Sequence, residues 1–289
     1  MPSTLETNQK ISSLGNMQKV TRAMNMIASI RLRKLIARLE ALSAFEKSLG
    51  DLLPLVVPVL SWESHPLVTG YADLGTVHFV TFTADRGLCG SHNNSVNKAL
   101  DKLAAKVREQ GASVEVTCIG TKGNNYARRK GYKVFHQTES GSQVLNSPAL
   151  EELADKLFHR FVDGQVQAVY FISNHFLSKI RQETQGRLVL PFAMPDLPLQ
   201  ERPPTPTIDL APQELALQGG RLLFRYFLAL AVAHSALSEQ ASRMTAMENA
   251  SKNAQDLTAF YTKVRNRVRQ SNITSELTEI ISGKEAMKR

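Results

Sequence analysis

Apolar residues at the start of the chain recur at intervals of three and four. The stripe contains Ile11, Leu14, Met17, Val20, Met24 and Ile27, and then Leu32, Leu35, Leu39, Leu42, Leu49 and Leu53. Neither a proline nor a glycine other than Gly15 interrupts it before Gly50. This spacing is helical, so residues 1–55 are predicted to form one rod in which ~45 residues span about 65–70 Å.

The end of the chain carries a second and longer stripe of the same spacing. It contains Leu223, Phe227, Leu230, Leu237, Ala241, Met244, Met247, Ala254, Leu257, Tyr261, Val264 and Val268. No proline or glycine lies between Gly220 and Gly283. About 60 helical residues would span roughly 90 Å, and uncapped periodicity of this length is typical of a coiled coil. Residues 213–289 are predicted to form this rod, with small and flexible seam residues that allow close, adjustable contacts.

Between the rods the pattern changes to short β-rich runs that alternate with helical segments. The predicted strands are Thr76–Phe82, Val114–Ile119, Tyr132–Phe135, Gln167–Ile172 and Leu188–Leu190, and the predicted helices are Asn97–Gln110 and Pro148–Val162. Such alternation indicates a small α/β domain over residues 75–192. A proline-rich tract at 193–212 is predicted to be an extended connector. The fold expected is a mixed α+β and α/β one, a long antiparallel coiled coil of the terminal helices with a small central Rossmann-like domain.

The basic surplus of the chain is unevenly distributed. There are 35 Lys and Arg against 26 Asp and Glu, a formal net charge of +9. Residues 1–50 carry about eight basic and three acidic groups, residues 221–289 about eleven and six, and residues 51–220 about sixteen and seventeen. The excess therefore lies in the two predicted rods. It fits either solvated helical faces or rods that face an acidic protein surface, nucleic acid or lipid headgroups.

Composition excludes several classes of protein. With 43% hydrophobic and 21% charged residues the chain is of ordinary globular type. It contains no uninterrupted apolar run of ~18 residues, so no membrane-spanning helix is expected. Its first residues, MPSTLETNQK, lack the basic and apolar regions of a secretory signal. Cys89 and Cys118 are too few for a disulfide scaffold or a cysteine zinc site, and they suit a reducing compartment.

The residues supply no recognisable catalytic or metal site. The seven histidines show no H-E-x-x-H spacing, and Cys89 with His92 forms only a C-x-x-H pair, too small for a metal site by itself. No glycine-rich phosphate-binding fingerprint occurs either. We therefore expect no catalytic residue, no metal and no cofactor in this chain.

One loop is a candidate for binding an anion. It runs from Asp85 through Arg86 and Gly87 to Gly90, after a predicted strand and before a predicted helix. A glycine-bearing turn at such a place can present backbone N–H groups to an anion or a nucleotide. The alternative is structural, because two glycines more often serve backbone geometry and adjacent Asp and Arg form a local ion pair.

Three stretches together resemble one family. Residues 10–34 read KISSLGNMQKVTRAMNMIASIRLRK, residues 83–93 read TADRGLCGSHN, and residues 238–256 read SEQASRMTAMENASKNAQD, followed by RQSNITSELTEIISG at 269–283. They are similar, in the same order, to the N-terminal helix, the S-D-R-G-L-C-G loop and the C-terminal signature of the gamma subunit of F-type ATP synthases. The matches bracket the whole chain and fall on the elements inferred above.

This resemblance implies a specific function. The gamma subunit is the central rotor shaft, whose paired terminal helices enter a ring of three alpha and three beta subunits. Its α/β domain is the foot, which turns with the membrane ring of c subunits and contacts the epsilon subunit. The active sites are on the beta subunits, so the chain is expected to be non-catalytic. The expected location is peripheral, on the cytoplasmic face of the bacterial inner membrane, with no nucleic acid partner.

The resemblance also implies roles for single residues. Lys19, Arg22 and Met24 match the stretch that faces the acidic lever loop of the beta subunits, although Met24 also lies on the apolar stripe. Matches to C-terminal positions implicated in coupling are Arg243, Gln270, Thr274 and Glu279. The basic side chains expected to be exposed toward acidic loops are Lys19, Arg22, Arg31, Arg33, Lys34, Arg243, Arg265, Arg267 and Arg269. Replacing Arg243 or Gln270 by alanine is expected to weaken coupling of ATP hydrolysis to ion pumping while leaving the chain folded.

The chain also departs from the family pattern. The family has an aromatic and acidic segment before the last helix, where this chain has the proline-rich tract at 193–212, so no residues contacting the c-ring are assigned. The departures indicate a divergent bacterial branch. Two other hypotheses stay open on the residues alone. One is an RNA-binding protein with a basic coiled-coil arm, and the other is a small enzyme that binds a nucleotide or anion at the Asp85–Gly90 loop.

Overall fold

A computed structural model describes residues 4–56, 65–140, 147–179, 181–192 and 212–287. It contains six helices and five strands within these residues. They are α1 (Thr4–Val56), α2 (Pro66–Thr69), β1 (Thr76–Phe82), α3 (His92–Glu109), β2 (Ser113–Ile119), α4 (Thr121–Arg129), β3 (Lys133–Thr138), α5 (Pro148–Val162), β4 (Ala168–Phe176), β5 (Gln182–Leu190) and α6 (Pro212–Ala286). The predicted connector at 193–212 lies outside the described residues except for Pro212, which begins α6.

Contacts divide the chain into two compact units, and both long helices contribute to each. The helical unit consists of Met1–Ala28 and Met244–Arg289, and the α/β unit consists of Ser29–Arg243. The predicted segments 1–55 and 213–289 each correspond to one whole helix, whereas the contacts divide each long helix between the two units. These segments describe the order of elements along the chain and stay a prediction.

In the helical unit, α1 and α6 pack together as an antiparallel pair. The Nζ atom of Lys10 lies 5.2 Å from the ring centre of Tyr261. Farther along α1, the side-chain amide of Asn25 donates a 3.0 Å hydrogen bond to the carbonyl of Met244. Partner numbers on α6 fall as numbers on α1 rise, which confirms the antiparallel arrangement expected from the two stripes.

The seam between these helices is built mainly from small and flexible side chains. The buried residues of the helical unit are Thr7, Thr21, Ala28, Met247, Ala254 and Val268. Ala254 is 2% exposed and therefore leaves space only for a methyl group. Small seam residues allow two backbones to approach closely, while an unbranched methionine fills irregular gaps.

The α/β unit is organised around a five-stranded mixed sheet in the order β3-β2-β1-β4-β5. The first four strands are parallel neighbours, and β5 pairs antiparallel with β4. Strand β1 is central and almost fully buried, as its β-branched and aromatic sequence TVHFVTF predicts. The strand–helix alternation inferred from the sequence is confirmed, and it yields the mixed α/β fold.

Two hydrophobic clusters cover the two faces of this sheet. One cluster packs α5 and α6 on the sheet and includes Val80, Phe82, Phe158, Phe171 and Phe224. The other packs α3 and α4 on the opposite face and includes Val77, Phe79, Val96, Leu100 and Ala127. Alternate residues of β1 thus belong to opposite clusters, because successive side chains of a strand point to opposite faces.

The structure adds a helix that the sequence pattern does not predict. Helix α4 buries only Gly123, Asn124 and Ala127, so it carries no apolar stripe. The helix packs closely against Thr83 because Gly123 has no side chain. A Cβ atom at Gly123 would lie 2.7 Å from Oγ1 of Thr83, closer than side-chain carbons approach. Strands β3, β4 and β5 also extend farther than predicted, since polar alternating residues continue each pairing.

Candidate functional site

The loop after β1 is held by the carboxylate of Asp85. Its two oxygens accept hydrogen bonds from the backbone N–H and hydroxyl of Thr121, both at 2.8 Å. They also accept bonds from the backbone N–H and hydroxyl of Ser140 at 2.8 and 3.0 Å. Burial alone would raise the pKa of Asp85, but these four bonds favour the ionised form and place its pKa below the ordinary value.

This arrangement gives Asp85 a structural role. Thr121 is the first residue of α4, so the carboxylate caps that helix and joins it to the residues after β3. The N-terminal amide of α4 and the amide of Ser140 are thereby bonded to a carboxylate of the same chain. Asp85, Arg86, Gly87 and Gly90 do lie together in one loop as predicted, but the geometry favours the structural reading over an anion site.

Within the same loop, backbone strain and burial set the conformation. Leu88 has φ of +62° although it is not glycine, and its side chain is 61% exposed. Cys89 next to it is 1% exposed and accepts a 3.3 Å contact from the side-chain amide of Asn93. Burial raises the pKa of the Cys89 thiol. Asn93 also accepts a 2.8 Å bond from the backbone N–H of Ala84, so this one side chain closes the loop.

An ion pair on α6 contacts the loop that follows β1. The guanidinium of Arg243 donates a 2.7 Å hydrogen bond to Glu239, one turn earlier on the helix. Its other terminal nitrogen lies 3.5 Å from the carbonyl oxygen of Gly87. Burial raises the pKa of Glu239, against the opposing effect of the Arg243 charge. Arg243 therefore links α6 to the DRGLCG loop inside the α/β unit.

A second polar network, centred on Asn174, was not recognised from the sequence. The side-chain amide of Asn174 donates 2.9 Å bonds to Nδ1 and to the carbonyl of His92. Its oxygen accepts bonds from Ser95 at 3.1 Å and Thr184 at 2.5 Å, and its backbone carbonyl accepts a 2.8 Å bond from Ser238. Burial, helped by the nearby Arg243, lowers the pKa of His92 to about 4, so the ring is neutral at pH 7. Of the residues in this network, only His92 and Ser238 lie within the motifs recognised from the sequence.

The remaining predicted residues lie in the helical unit, with their side chains largely in solvent. Lys19, Arg22, Gln270, Thr274 and Glu279 are exposed, and Met24 is half-buried beside the seam. The hydroxyl of Thr274 donates a 2.9 Å bond to the carbonyl of Gln270. Arg22 lines a groove of about 390 Å³ together with residues that include Asn25, Met26, Met247 and Gln255. Gln270 and Thr274 are thus joined by a hydrogen bond, and Glu279 is not part of that pair.

The expectation of exposed basic side chains holds for most positions but is wrong for Arg243. Arg243 is 8% exposed, because its guanidinium is enclosed by Glu239 and the loop carbonyl described above. Arg265 is half-buried. The seven exposed members of the set are Lys19, Arg22, Arg31, Arg33, Lys34, Arg267 and Arg269.

An exposed apolar row near the end of α6 was also missed. Ile273, Leu277, Ile280 and Ile281 are 48–67% exposed and recur at helical spacing. The described parts of the chain leave this row uncovered. These residues continue the same three-four periodicity, but the stripe recognised in the sequence ends at Val268 and does not include them.

The comparisons with known proteins decide the family. A family model described as ATP synthase matches residues 3–287. The ATP synthase gamma chain of Magnetococcus marinus is 32% identical over 291 residues, which cover 96% of this chain and 97% of the relative. That of Sulfurihydrogenibium is 31% identical over 285 residues, with 98% of both chains covered. This chain belongs to the ATP synthase gamma-chain family.

Solved structures of low identity show the same fold. A chain of the central stalk and c-ring of the Tetrahymena thermophila mitochondrial ATP synthase aligns with a TM-score of 0.60 at 24% identity, covering 80% of this chain and 99% of that chain. A chain from the Euglena gracilis mitochondrial enzyme, solved with OSCP, F1 and the c-ring, aligns with a TM-score of 0.66 at 14% identity, covering 98% and 94%. These similarities confirm the predicted fold class.

Membership in the gamma-chain family confirms the resemblance drawn from the three motifs. The relatives give no support to an RNA-binding protein. One finding bears on the expectation that no helix spans a membrane. By length and composition, α6 contains one 18-residue window apolar enough to cross a bilayer, with a mean hydropathy of 1.2. Of that window 56% is buried inside the molecule, as in the core helix of a folded domain.

Proposed function

We propose that this chain is the rotor shaft of an F-type ATP synthase, with its paired terminal helices inside a ring of three alpha and three beta subunits. The observation that carries the proposal is the full-length match to gamma chains on a structure whose terminal helices form an antiparallel pair. In this function the catalytic sites belong to the beta subunits. The chain contributes the asymmetric axle that changes their nucleotide affinities in turn.

The helical unit has the physical properties that this task requires. A shaft has to transmit torque, and the helical stretches 4–28 and 244–286 of this unit contain no proline, so they resist bending. It also has to pass several orientations without locking into one. Exposed basic residues such as Lys19, Arg22 and Arg267 attract acidic loops over a distance and with little geometric demand. The exposed apolar row around Ile280 offers a surface for an apolar partner.

The α/β unit is the proposed foot. The similar chains named above come from assemblies described as central stalk and c-ring, and as OSCP, F1 and c-ring. We infer that this unit is attached to a ring of c subunits and to the epsilon subunit, and turns with them. The enzyme would then be bound peripherally at the cytoplasmic face of a bacterial inner membrane.

Reconstitution with alpha and beta subunits tests the proposal. The purified chain is mixed with both subunits, and complex formation is followed by size-exclusion chromatography with mass determination. We expect one copy of this chain per three alpha and three beta subunits, and ATP hydrolysis only after assembly. A chain that stays free of the other subunits, or that hydrolyses ATP by itself, would contradict the rotor function and favour the enzyme hypothesis.

A further inference from the structure

One face of the α/β unit carries a dense group of basic side chains. Helices α3 and α4 cover the sheet face opposite α5 and α6, and their outer surface is called the α3–α4 face. Its exposed basic residues are Lys98, Lys102, Lys106, Arg108, Lys122, Arg128, Arg129 and Lys130. Between residues 92 and 133 only one carboxylate, that of Glu109, is exposed. The near-neutral count of the middle of the chain therefore hides a strongly charged surface.

The basic residues of α3 form a ridge that points away from the core. Lys98, Lys102 and Lys106 are four residues apart and thus neighbours on one side of the helix. Leu100 and Val107 are buried on the opposite side. The ammonium groups consequently project outward together, at the cost of mutual repulsion that a negative partner would relieve.

Two tyrosines contact further basic members of the face. The hydroxyls of Tyr126 and Tyr132 donate bonds of 2.5 and 2.8 Å to the carboxylate of Asp101, which joins α3 to α4. The guanidinium of Arg108 lies 5.0 Å from the ring centre of Tyr132, and that of Arg129 lies 5.6 Å from that of Tyr126. The half-buried Asp101 is thus engaged within the face, and its Oδ2 atom also lies 3.7 Å from Nζ of Lys130, so it offsets one of the eight basic groups.

We propose that the α3–α4 face binds an anionic lipid surface. Between residues 92 and 133 no large apolar side chain is exposed. Protein interfaces have an apolar or aromatic centre and are poor in lysine, so this face is unsuited to a protein partner. Anionic headgroups require only several basic groups near the surface, and lysine suffices for them. The biological setting rests on the proposed function, which brings the α/β unit close to a membrane.

Vesicle binding by the full chain tests this proposal. The probes are vesicles of phosphatidylcholine with and without 30% phosphatidylglycerol, in ~100 mM salt, with binding measured by co-sedimentation. The face variant is K98Q/K102Q/K106Q/R129Q. The control variant, K252Q/K263Q/R267Q/R269Q, removes four exposed basic groups of α6 and has the same net charge. Far-UV circular dichroism verifies that both variants are folded.

We expect the parent chain to bind only the anionic vesicles. Each basic group near such a surface changes affinity about fivefold, so the face variant should bind several hundredfold more weakly. The control variant should stay within about fivefold of the parent. Equal weakening of the two variants, or no weakening of the face variant, would overturn the proposal. So would selective loss of binding to single-stranded RNA with vesicle binding unchanged, which would assign the face to nucleic acid.

The same proteins separate this proposal from the rotor function. Assembly with alpha and beta subunits should be normal for the face variant, because its changes lie outside the helical unit. Normal assembly of the parent without any binding to anionic vesicles overturns the lipid surface alone. Specific vesicle binding by a chain that does not assemble overturns the rotor function alone.

Discussion

Arg243 makes two contacts at once, one with Glu239 and one with the loop after β1. Arg243 and Glu239 form an ion pair on α6, about one-tenth exposed at each side chain, and Arg243 also contacts the carbonyl of Gly87. A role of this arginine in coupling stays a prediction from the resemblance, and its guanidinium contacts groups of the same chain. Its removal would leave a buried carboxylate without its partner and would free the loop from α6.

We therefore expect Arg243→Ala to destabilise the chain by about 3 kcal/mol, because breaking a buried pair leaves an uncompensated charge. Urea unfolding followed by far-UV circular dichroism measures the loss. Arg269→Ala removes an exposed arginine from the same helix and should change the unfolding free energy by less than about 0.5 kcal/mol. Equal stability of Arg243→Ala and the parent would contradict the structural role of this pair.

At the scale of elements, the long helices owe their pairing to small seam residues and not to a leucine zipper. Ala254 is enclosed in the helical unit, while Ala259 on the same helix is exposed. Helix α4 shows the same dependence on small size, since Gly123 lies directly against Thr83. Such contacts depend on how the volumes of two facing residues fit together, so they can be recognised only when both residues are known.

Ala254→Leu should destabilise the helical unit by about 1–3 kcal/mol, because the added methylenes force the two helices apart. Thermal unfolding followed at 222 nm should show a lower transition temperature. Ala259→Leu adds the same atoms at an exposed position and serves as the matched control, with an unchanged transition expected. An unchanged transition for Ala254→Leu as well would show that the seam has room for the larger side chain.

At the scale of the whole molecule, the two units expose surfaces of different composition. The helical unit exposes basic side chains together with an apolar row, as suits a shaft in the proposed function. The α/β unit exposes the basic α3–α4 face, whereas acidic residues of α5 such as Asp155 are paired with Arg221 and Arg225. Those two guanidinium groups keep the pKa of Asp155 well below its usual range.

Gln270→Ala should weaken coupling in the assembled enzyme while leaving the chain folded. The side chain is exposed, so its amide is free of the seam, and in the proposed function its loss would remove a hydrogen bond to the ring worth about 1 kcal/mol. ATP hydrolysis and ion uptake are measured together in membrane vesicles, and uptake per ATP is expected to fall. Asn272→Ala is the control at a neighbouring exposed position. Normal coupling in Gln270→Ala would withdraw the assignment of this residue.

The long helices, the strand–helix alternation, the family and the residues of the DRGLCG loop could all be predicted from the sequence. These features are encoded locally, because periodicity needs only neighbouring residues and a motif needs only their order. The loop's role was not determined, since both readings of Asp85 fit the sequence equally.

Which charged residues are buried, and which share a surface, became clear from the three-dimensional contacts. Asp85 became a cap because Thr121 and Ser140, 36 and 55 residues away, meet its carboxylate. Arg243 became a buried link because a helix and a loop 156 residues apart come into contact. The α3–α4 face arose because two helices lie side by side on one sheet. Contacts over such separations depend on chain topology, which composition and periodicity do not specify.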